Sequence, residues 1–165
     1  MRKIQSIFYY ICTNHKWNFL IIKFRNSILD KLVDQFIDER SITQNYYVNA
    51  QQLKEMQDRG MIIGGHTVNH PVLSTLNRKE QLSEIKGCLD WLNFAVGESE
   101  IQTFCFPYGG GHCFNEDTIG ILTDLNCRFC LSVEQRDVNK HDLAERPLAL
   151  PRFDCNQFKH GQVRG

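Results

Sequence analysis

A chain of 165 residues is long enough to bury the core of one domain and too short for several. Its 19 basic and 19 acidic residues cancel, so nothing in the charge balance favours nucleic acid or an anionic membrane as a partner. Seven cysteines, an odd number in an otherwise ordinary composition, argue for free thiols in a reducing, cytoplasmic setting rather than for a disulfide framework.

Residues 1 to 24 are aromatic and β-branched without a clear period. Met1-Arg2-Lys3 followed by Ile4 to Cys12 has the outline of a signal peptide. However, Gln5 and Ser6 interrupt the apolar run, and Asn14, His15 and Lys16 stand where a small-residue cleavage site belongs. The segment is read as not secreted, and no run reaches transmembrane length. From Ser27 to Arg40, Ile28, Leu32, Val33, Phe36 and Ile37 recur at helical spacing. Arg40 to Asn45 is a polar connector. Asn49 caps a second helix, with Gln52 as capping-box partner, Gly60 as the stop, and Leu53 and Met56 facing inward. Met61 to Gly64 then reads as a short buried strand.

A third helix runs from about Asn77 to Asn93, opened by the Asn77/Glu80 cap pair and striped by Leu82, Ile85, Leu89 and Leu92. Ile101 to Phe106 is a strand running into Pro107-Tyr108-Gly109-Gly110-Gly111. Asn115 caps a fourth helix through Leu125, with Glu116 and Asp117 placed favourably in its first turn. Phe129 to Val133 is the next strand. The charged segment Glu134 to Glu145 separates it from a last apolar run, Leu148 to Phe153, and the tail from Gln157 to Gly165 reads as frayed. Helix and strand in alternation predict an α/β fold with parallel strands, in which ligands gather beyond the carboxyl ends of the strands. Both glycine-flanked loops, His66 to Pro71 and Pro107 to Gly111, therefore fall on one rim. Cys127-Arg128-Phe129-Cys130 has the spacing of a zinc or redox pair. On a strand, though, residues three apart point to opposite faces, and no second pair follows, so the two read as small buried apolar residues.

The stretch Gly64-Gly65-His66-Thr67-Val68-Asn69-His70-Pro71 carries the chemistry. Two imidazoles four residues apart can face one point, and neutral imidazoles suit zinc or another borderline divalent ion. A His-x3-His pair alone would favour the bland reading, one histidine on the surface and the other capping a turn. The stretch follows Gln52-Leu53-Lys54-Glu55-Met56 and Gly60-Met61, and so placed it resembles the second motif of polysaccharide deacetylases, the NodB-homology family. Thr103-Phe104-Cys105-Phe106-Pro107-Tyr108-Gly109 resembles that family's third motif, and the likeness spans about residues 46 to 154 in the right order.

The resemblance implies a distorted (β/α) barrel, here incomplete at the N-terminus, acting on an N-acetylated carbohydrate. It implies a divalent metal ion, Zn being the first choice, held by His66, His70 and an aspartate. Such a metal acidifies water and polarises the acetamide carbonyl. Pro107, Tyr108 and Gly109 would form the substrate-binding turn, with the Tyr108 amide N–H aimed at the tetrahedral oxyanion; a plain glycine-rich turn is the bland alternative.

Departures from the family pattern are as definite as the matches. The chain holds no Asp-Asp pair, the family's source of general base and third ligand, and its first aspartate is Asp30, inside a predicted helix. The expectation is a chain that begins inside the domain, or a degenerate member, with 1–45 unmatched, 46–156 a partial deacetylase domain and 157–165 a tail. Cys105 stands where family members often carry an arginine, and Arg152 is the residue that could serve in its place. His112, His141 and His160 do not match the family's acid, and none is assigned to that role. The leading reading is a carbohydrate N-deacetylase, weak or inactive as this chain. The alternatives are a non-catalytic remnant that binds sugar or a partner, and a thiol-rich metal module of Cys105, Cys113, Cys127 and Cys130. Open sheet edges would favour self-association.

Overall fold

The computed structural model describes residues 44–159 together with residues 27, 28, 30, 31, 33–35 and 38. It divides into two compact units, Met1–Asn49 and Ala50–Gly165. In the first unit, residues 27, 28, 30, 31 and 33–35 are helical, inside the stretch where the period predicts a helix. Leu32, Phe36 and Ile37 lie outside the described residues, as do the signal-peptide-like start, His160 and the tail beyond it. Gln44, Asn45 and Tyr46 form a helical turn at the end of the expected connector.

The second unit opens with helix α1, Ala50–Asp58. Gly60 stops it as predicted: at φ 87° it lets Met61 N–H reach back to Met56 O at 3.0 Å and its own N–H to Gln57 O at 2.8 Å. This is the paired closure that satisfies the last carbonyls of a helix. Leu53 and Met56 are only half-buried.

The buried strand expected at Met61 to Gly64 is not formed. Met61 and Ile62 are 52% and 53% exposed, and the extended pairing shrinks to one bridge, Gly65 to Phe104. A run of apolar residues becomes a buried strand only when both flanks are covered, and here pairing begins one residue later.

Helix α2, Arg78–Val96, is entered through the predicted Asn77/Glu80 capping box. Ile85 and Leu89 are buried as expected, but Leu82 is exposed and Gln81 takes the core position beside it. Gln81 is tolerated there because its amide is fully engaged. Its Nε2 donates to Leu76 O (3.0 Å) and Asn115 Oδ1 (3.3 Å), and its Oε1 accepts from Thr118 Oγ1 (2.6 Å). Strand β1, Thr103–Cys105, follows, then α3, Glu116–Asp124, capped by Asn115 with Thr118 as reciprocal partner, and strand β2, Phe129–Leu131.

β1 and β2 pair in parallel with Phe104 opposite Cys130, and single parallel bridges, Gly65 to Phe104 and Leu131 to Leu150, extend the ladder on either side. Four extended segments thus run parallel in chain order, with a helix in every connection. This is the α/β arrangement the alternation predicts. The core between sheet and helices holds Leu73, Ile85, Leu89, Phe104, Phe106, Ile121 and Leu122.

Cys127 and Cys130 both lie in that core, as small apolar residues would. The expectation that they face opposite ways fails, because β2 starts at Phe129 and leaves Cys127 in the turn after Asn126 (φ 58°). Their thiols hydrogen-bond each other. That bond and burial push the Cys130 thiol up, so it stays protonated.

The charged segment after β2 is more structured than its composition suggests. Asn139 caps helix α4, Lys140–Glu145, and Asp142 is buried. Arg136 grips both Asp142 oxygens, at 2.6 and 2.7 Å. Among the described residues no helix is long and apolar enough to cross a membrane.

Candidate functional site

The two candidate loops meet. His66 follows directly on the bridging residue Gly65, so its backbone is fixed against β1: Gly65 N–H donates to Thr103 O and Gly65 O accepts from Cys105 N–H, each at 2.9 Å. A side chain at Gly65 would sit 2.9 Å from both Leu89 Cδ2 and Phe104 Cδ2, so glycine is what lets the loop enter this close to the core.

The half-buried His66 ring bonds through Nδ1 to Cys105 O at 2.6 Å. A carbonyl oxygen only accepts, so Nδ1 carries the hydrogen. In the neutral ring this leaves the lone pair on Nε2, the tautomer that metal-ligating histidines hold through such a backbone bond.

His70 is reached through a tight, held loop. Thr67 and His70 both adopt left-handed backbone, φ 67° and 53°, at a cost of about 1–2 kcal/mol for each such residue. The loop offsets it with hydrogen bonds: His70 N–H to Thr67 Oγ1 at 3.0 Å, and Val68 and Asn69 N–H to Glu84 Oε2 at 3.0 and 2.8 Å. Asn69 Nδ2 adds a bond to Glu84 Oε1 at 2.7 Å. Glu84 sits on α2, so the helix itself anchors the loop.

The His66 and His70 ring centroids are 4.8 Å apart at an interplanar angle of 67°. Two imidazoles on one tetrahedral ion, with metal–nitrogen bonds near 2 Å, place their centroids about 5 Å apart, so this pair fits as part of a ligand set. Among the described residues no third histidine, cysteine or carboxylate completes a cluster around them.

Tyr108 closes the other side. Its ring centroid is 4.8 Å from that of His70, in edge contact. Pro107 is buried, while Tyr108 and Gly109 take left-handed backbone, φ 62° and 69°. A side chain on Gly109 would collide with Val133 Cγ2 at 2.3 Å, and Val133 N–H donates to Gly109 O at 2.8 Å. The segments that follow the two loops are joined by Ser74, its N–H donating to Cys113 O and its hydroxyl to His112 O at 2.6 Å. Of the four non-glycine residues with left-handed backbone among the described residues, Thr67, His70 and Tyr108 are in these two loops. Such concentrated strain is characteristic of functional sites.

Arg152 is exposed, two residues beyond the bridging Leu150. Its charge acts on Cys105: burial pushes that thiol up, and the guanidinium opposes the shift. The arginine thus stands near the position that Cys105 occupies in the loop motif. His141 is exposed on α4, and exposed His112 lies beside Gly110 in the second loop. Sequence reasoning missed Glu84 and Ser74. Glu84 is one of two glutamates on α2, and only the fold brings it to a loop 15 residues earlier.

The sequence model of the family described as polysaccharide deacetylase matches residues 32–130. The structure of a Streptococcus pyogenes deacetylase, PplD, in complex with acetate is similar to this chain at 26% identity and a TM-score of 0.58. The match covers 68% of this chain and 47% of that one, so the chain spans about half the length of that protein. Among curated proteins none matches. Over more than half of its length, and with the NodB-type fold, the chain belongs to the polysaccharide deacetylase family.

Proposed function

We propose that this protein is a carbohydrate N-deacetylase, hydrolysing the amide of an N-acetylated sugar to acetate and a free amine with a divalent cation, Zn first among them. The observation that carries the reading is the run of three rings, His66, His70 and Tyr108, with neighbouring centroids 4.8 Å apart, on two strained loops of a deacetylase-family chain. His66 and His70 would hold the cation, whose chemistry is to acidify water and polarise the acetamide carbonyl. His66 enters in the required tautomer because Cys105 O holds its Nδ1–H. The Tyr108 backbone N–H would receive the charge that develops on the carbonyl oxygen, a contribution of about 3 kcal/mol for a preorganised donor. Pro107 and Gly109 hold that turn, and Arg152 would orient the water-activating base.

Residues 46–156 form the deacetylase domain in this reading. The four parallel segments in chain order support its being part of a (β/α) barrel. The exposed apolar side chains of Met61 and Ile62 support self-association.

The chain contains no Asp-Asp pair, so its own activity is expected to be weak. That no cluster of three metal-binding groups forms among the described residues favours a second reading, a non-catalytic member that binds carbohydrate on the same loops. Zinc titration and acetate release from an N-acetylglucosamine oligomer test both. The deacetylase reading expects one ion, lost in His66→Ala and His70→Ala, and measurable acetate. Sugar binding with no acetate at any metal loading leaves only the second reading, and metal binding indifferent to both histidines removes the first.

A further inference from the structure

Between α2 and the segment 64–68 lies a cavity of about 510 Å³, walled by His66, Val68, Gly87, Cys88, Trp91 and Leu92. Its volume falls within the roughly 300–1,000 Å³ of sites that enclose a small ligand. Three features mark it as more than a packing gap. First, it is continuous with the histidine pair, because His66 forms part of its wall. Second, Trp91 is 53% exposed and takes no part in the core, which Ile85 and Leu89 of the same helix supply. Third, Gly87, one turn before Trp91, keeps the slot open: a Cβ there would already be 3.3 Å from Val68 Cγ2, and any larger side chain would fill the space beside the indole. None of the lining residues is Lys, Arg, Asp or Glu.

An apolar wall with one aromatic face, one imidazole and no formal charge suits a neutral ligand that is apolar on its faces and polar at its rim. A pyranose ring is such a ligand: its C–H groups pack on an indole while its hydroxyls stay in water. We infer that this cavity is a sugar subsite in which Trp91 carries the ring neighbouring the acetylated residue. The ligand is then a neutral oligo- or polysaccharide rather than a nucleotide sugar, whose phosphates would find no cation here. The inference rests on the deacetylase reading for the identity of the sugar, but its test does not use activity.

The probe is a β-linked N-acetylglucosamine tetramer, titrated into chelator-treated protein carrying Trp17→Phe, so that Trp91 is the sole indole reporter. A saturable change in Trp91 emission is expected, with Kd weakened at least tenfold in Trp91→Ala and less than threefold in Trp91→Phe, measured calorimetrically. The tetramer is also expected to slow alkylation of Cys88 in the unsubstituted protein, which keeps the test valid should Trp91→Ala fold poorly. Equal affinity in wild type and Trp91→Ala, an absence of tetramer binding, or Cys88 reactivity indifferent to the sugar each overturns the subsite. So does a cavity that takes an alkyl chain but no sugar. Trp91-dependent binding without acetate release by the zinc-loaded protein would instead sink the deacetylase reading and leave the subsite standing.

Discussion

Glu84 and Asn69 meet at both ends of a carboxylate: Asn69 Nδ2 donates to Oε1 at 2.7 Å, and the Asn69 backbone N–H donates to Oε2 at 2.8 Å. With Val68 N–H on the same Oε2, one side chain of α2 holds the middle of the loop whose ends are His66 and His70. Hydrogen bonds to a charged acceptor are the stronger kind, and here they oppose the backbone strain at Thr67 and His70.

Glu84→Ala is therefore expected to release the loop. Losing these solvent-exposed hydrogen bonds costs roughly 0.5–1.5 kcal/mol, and for a chain of this size the melting temperature should fall by about 2–4 °C per kcal/mol lost. The more specific outcome is zinc affinity reduced at least tenfold by calorimetry, because His70 loses its support while His66 keeps its bond to Cys105. Zinc affinity equal to wild type would mean that the pair does not depend on the α2 clamp.

Glycines at the two loop entrances should be intolerant of a single methyl. At Gly65 the added carbon meets Leu89 and Phe104, both buried, so the neighbours cannot swing away. Overpacking of this kind costs about 1–3 kcal/mol. Gly109→Ala adds left-handed strain at φ 69° to a collision with Val133, and should be the worse of the two. Gly60→Ala, by contrast, has open space and meets only the backbone penalty of φ 87°. Denaturation midpoints of the three variants should rank in that order, with Gly109→Ala lowest and Gly60→Ala highest.

What could be read from the sequence follows the range of the interactions involved. The caps at Asn77 and Asn115 and the stop at Gly60 are set within four or five residues, so local patterns predict them. The burial of Gln81 was not legible, because the partners that make a polar core residue acceptable include Asn115 and Thr118, 34 and 37 residues away. Asp142 hides in a segment whose charge reads as solvent-exposed, until Arg136 neutralises it. The exposure of Met61 and Ile62 was misread for a related reason: strand burial depends on what covers the outer flank, and a seven-residue window carries no information about that. At the site, the His-x3-His spacing and the Pro107-Tyr108-Gly109 turn were visible as types. The His66–Cys105 bond that sets the tautomer spans 39 residues and was not.

Acid should loosen the region after β2. Hydrogen bonds from Arg136, then the Asn139 backbone N–H, hold the Asp142 carboxyl well below the ordinary carboxylate range. Glu134 is lowered too, first by its bond from Arg146. A carboxylate whose folded pKa is depressed adds stability above its unfolded value, about 4, and that stability is lost as pH falls from there toward the folded value. Melting temperature should thus be flat from neutrality to about pH 5 and decline below it. Asp142→Asn should be less stable at pH 7 and show a shallower acid decline. A decline of equal steepness in the variant would assign the acid sensitivity to other groups.

Thiol reactivity separates a hydrolase-type site from a thiol-rich metal module. Cys113, Cys127 and Cys130 are buried, Cys155 is exposed, and burial pushes the Cys105 and Cys113 thiols up. In native protein at pH 7.5, iodoacetamide should label Cys155 first among these and reach Cys127 and Cys130 only on unfolding. Cys127→Ser with Cys130→Ser should leave zinc stoichiometry unchanged. Loss of the ion in that double variant would move the metal from the histidines to the cysteines.

Arg152 can be tested at Cys105 without reference to catalysis. Its positive charge favours the thiolate and partly offsets the upward push of burial. Removing the charge in Arg152→Ala should therefore raise the Cys105 pKa further, lower the thiolate fraction at any given pH and shift the alkylation profile of Cys105 to higher pH. Arg152→Lys, which keeps the charge, should fall between the two. If the profile moves as expected and zinc binding is retained, the guanidinium lies where a loop-motif arginine would act. Any acetate release should then fall in Arg152→Ala with KM little changed, as for a group that orients a reacting partner. An unmoved Cys105 profile would return Arg152 to the solvated surface and remove it from the site.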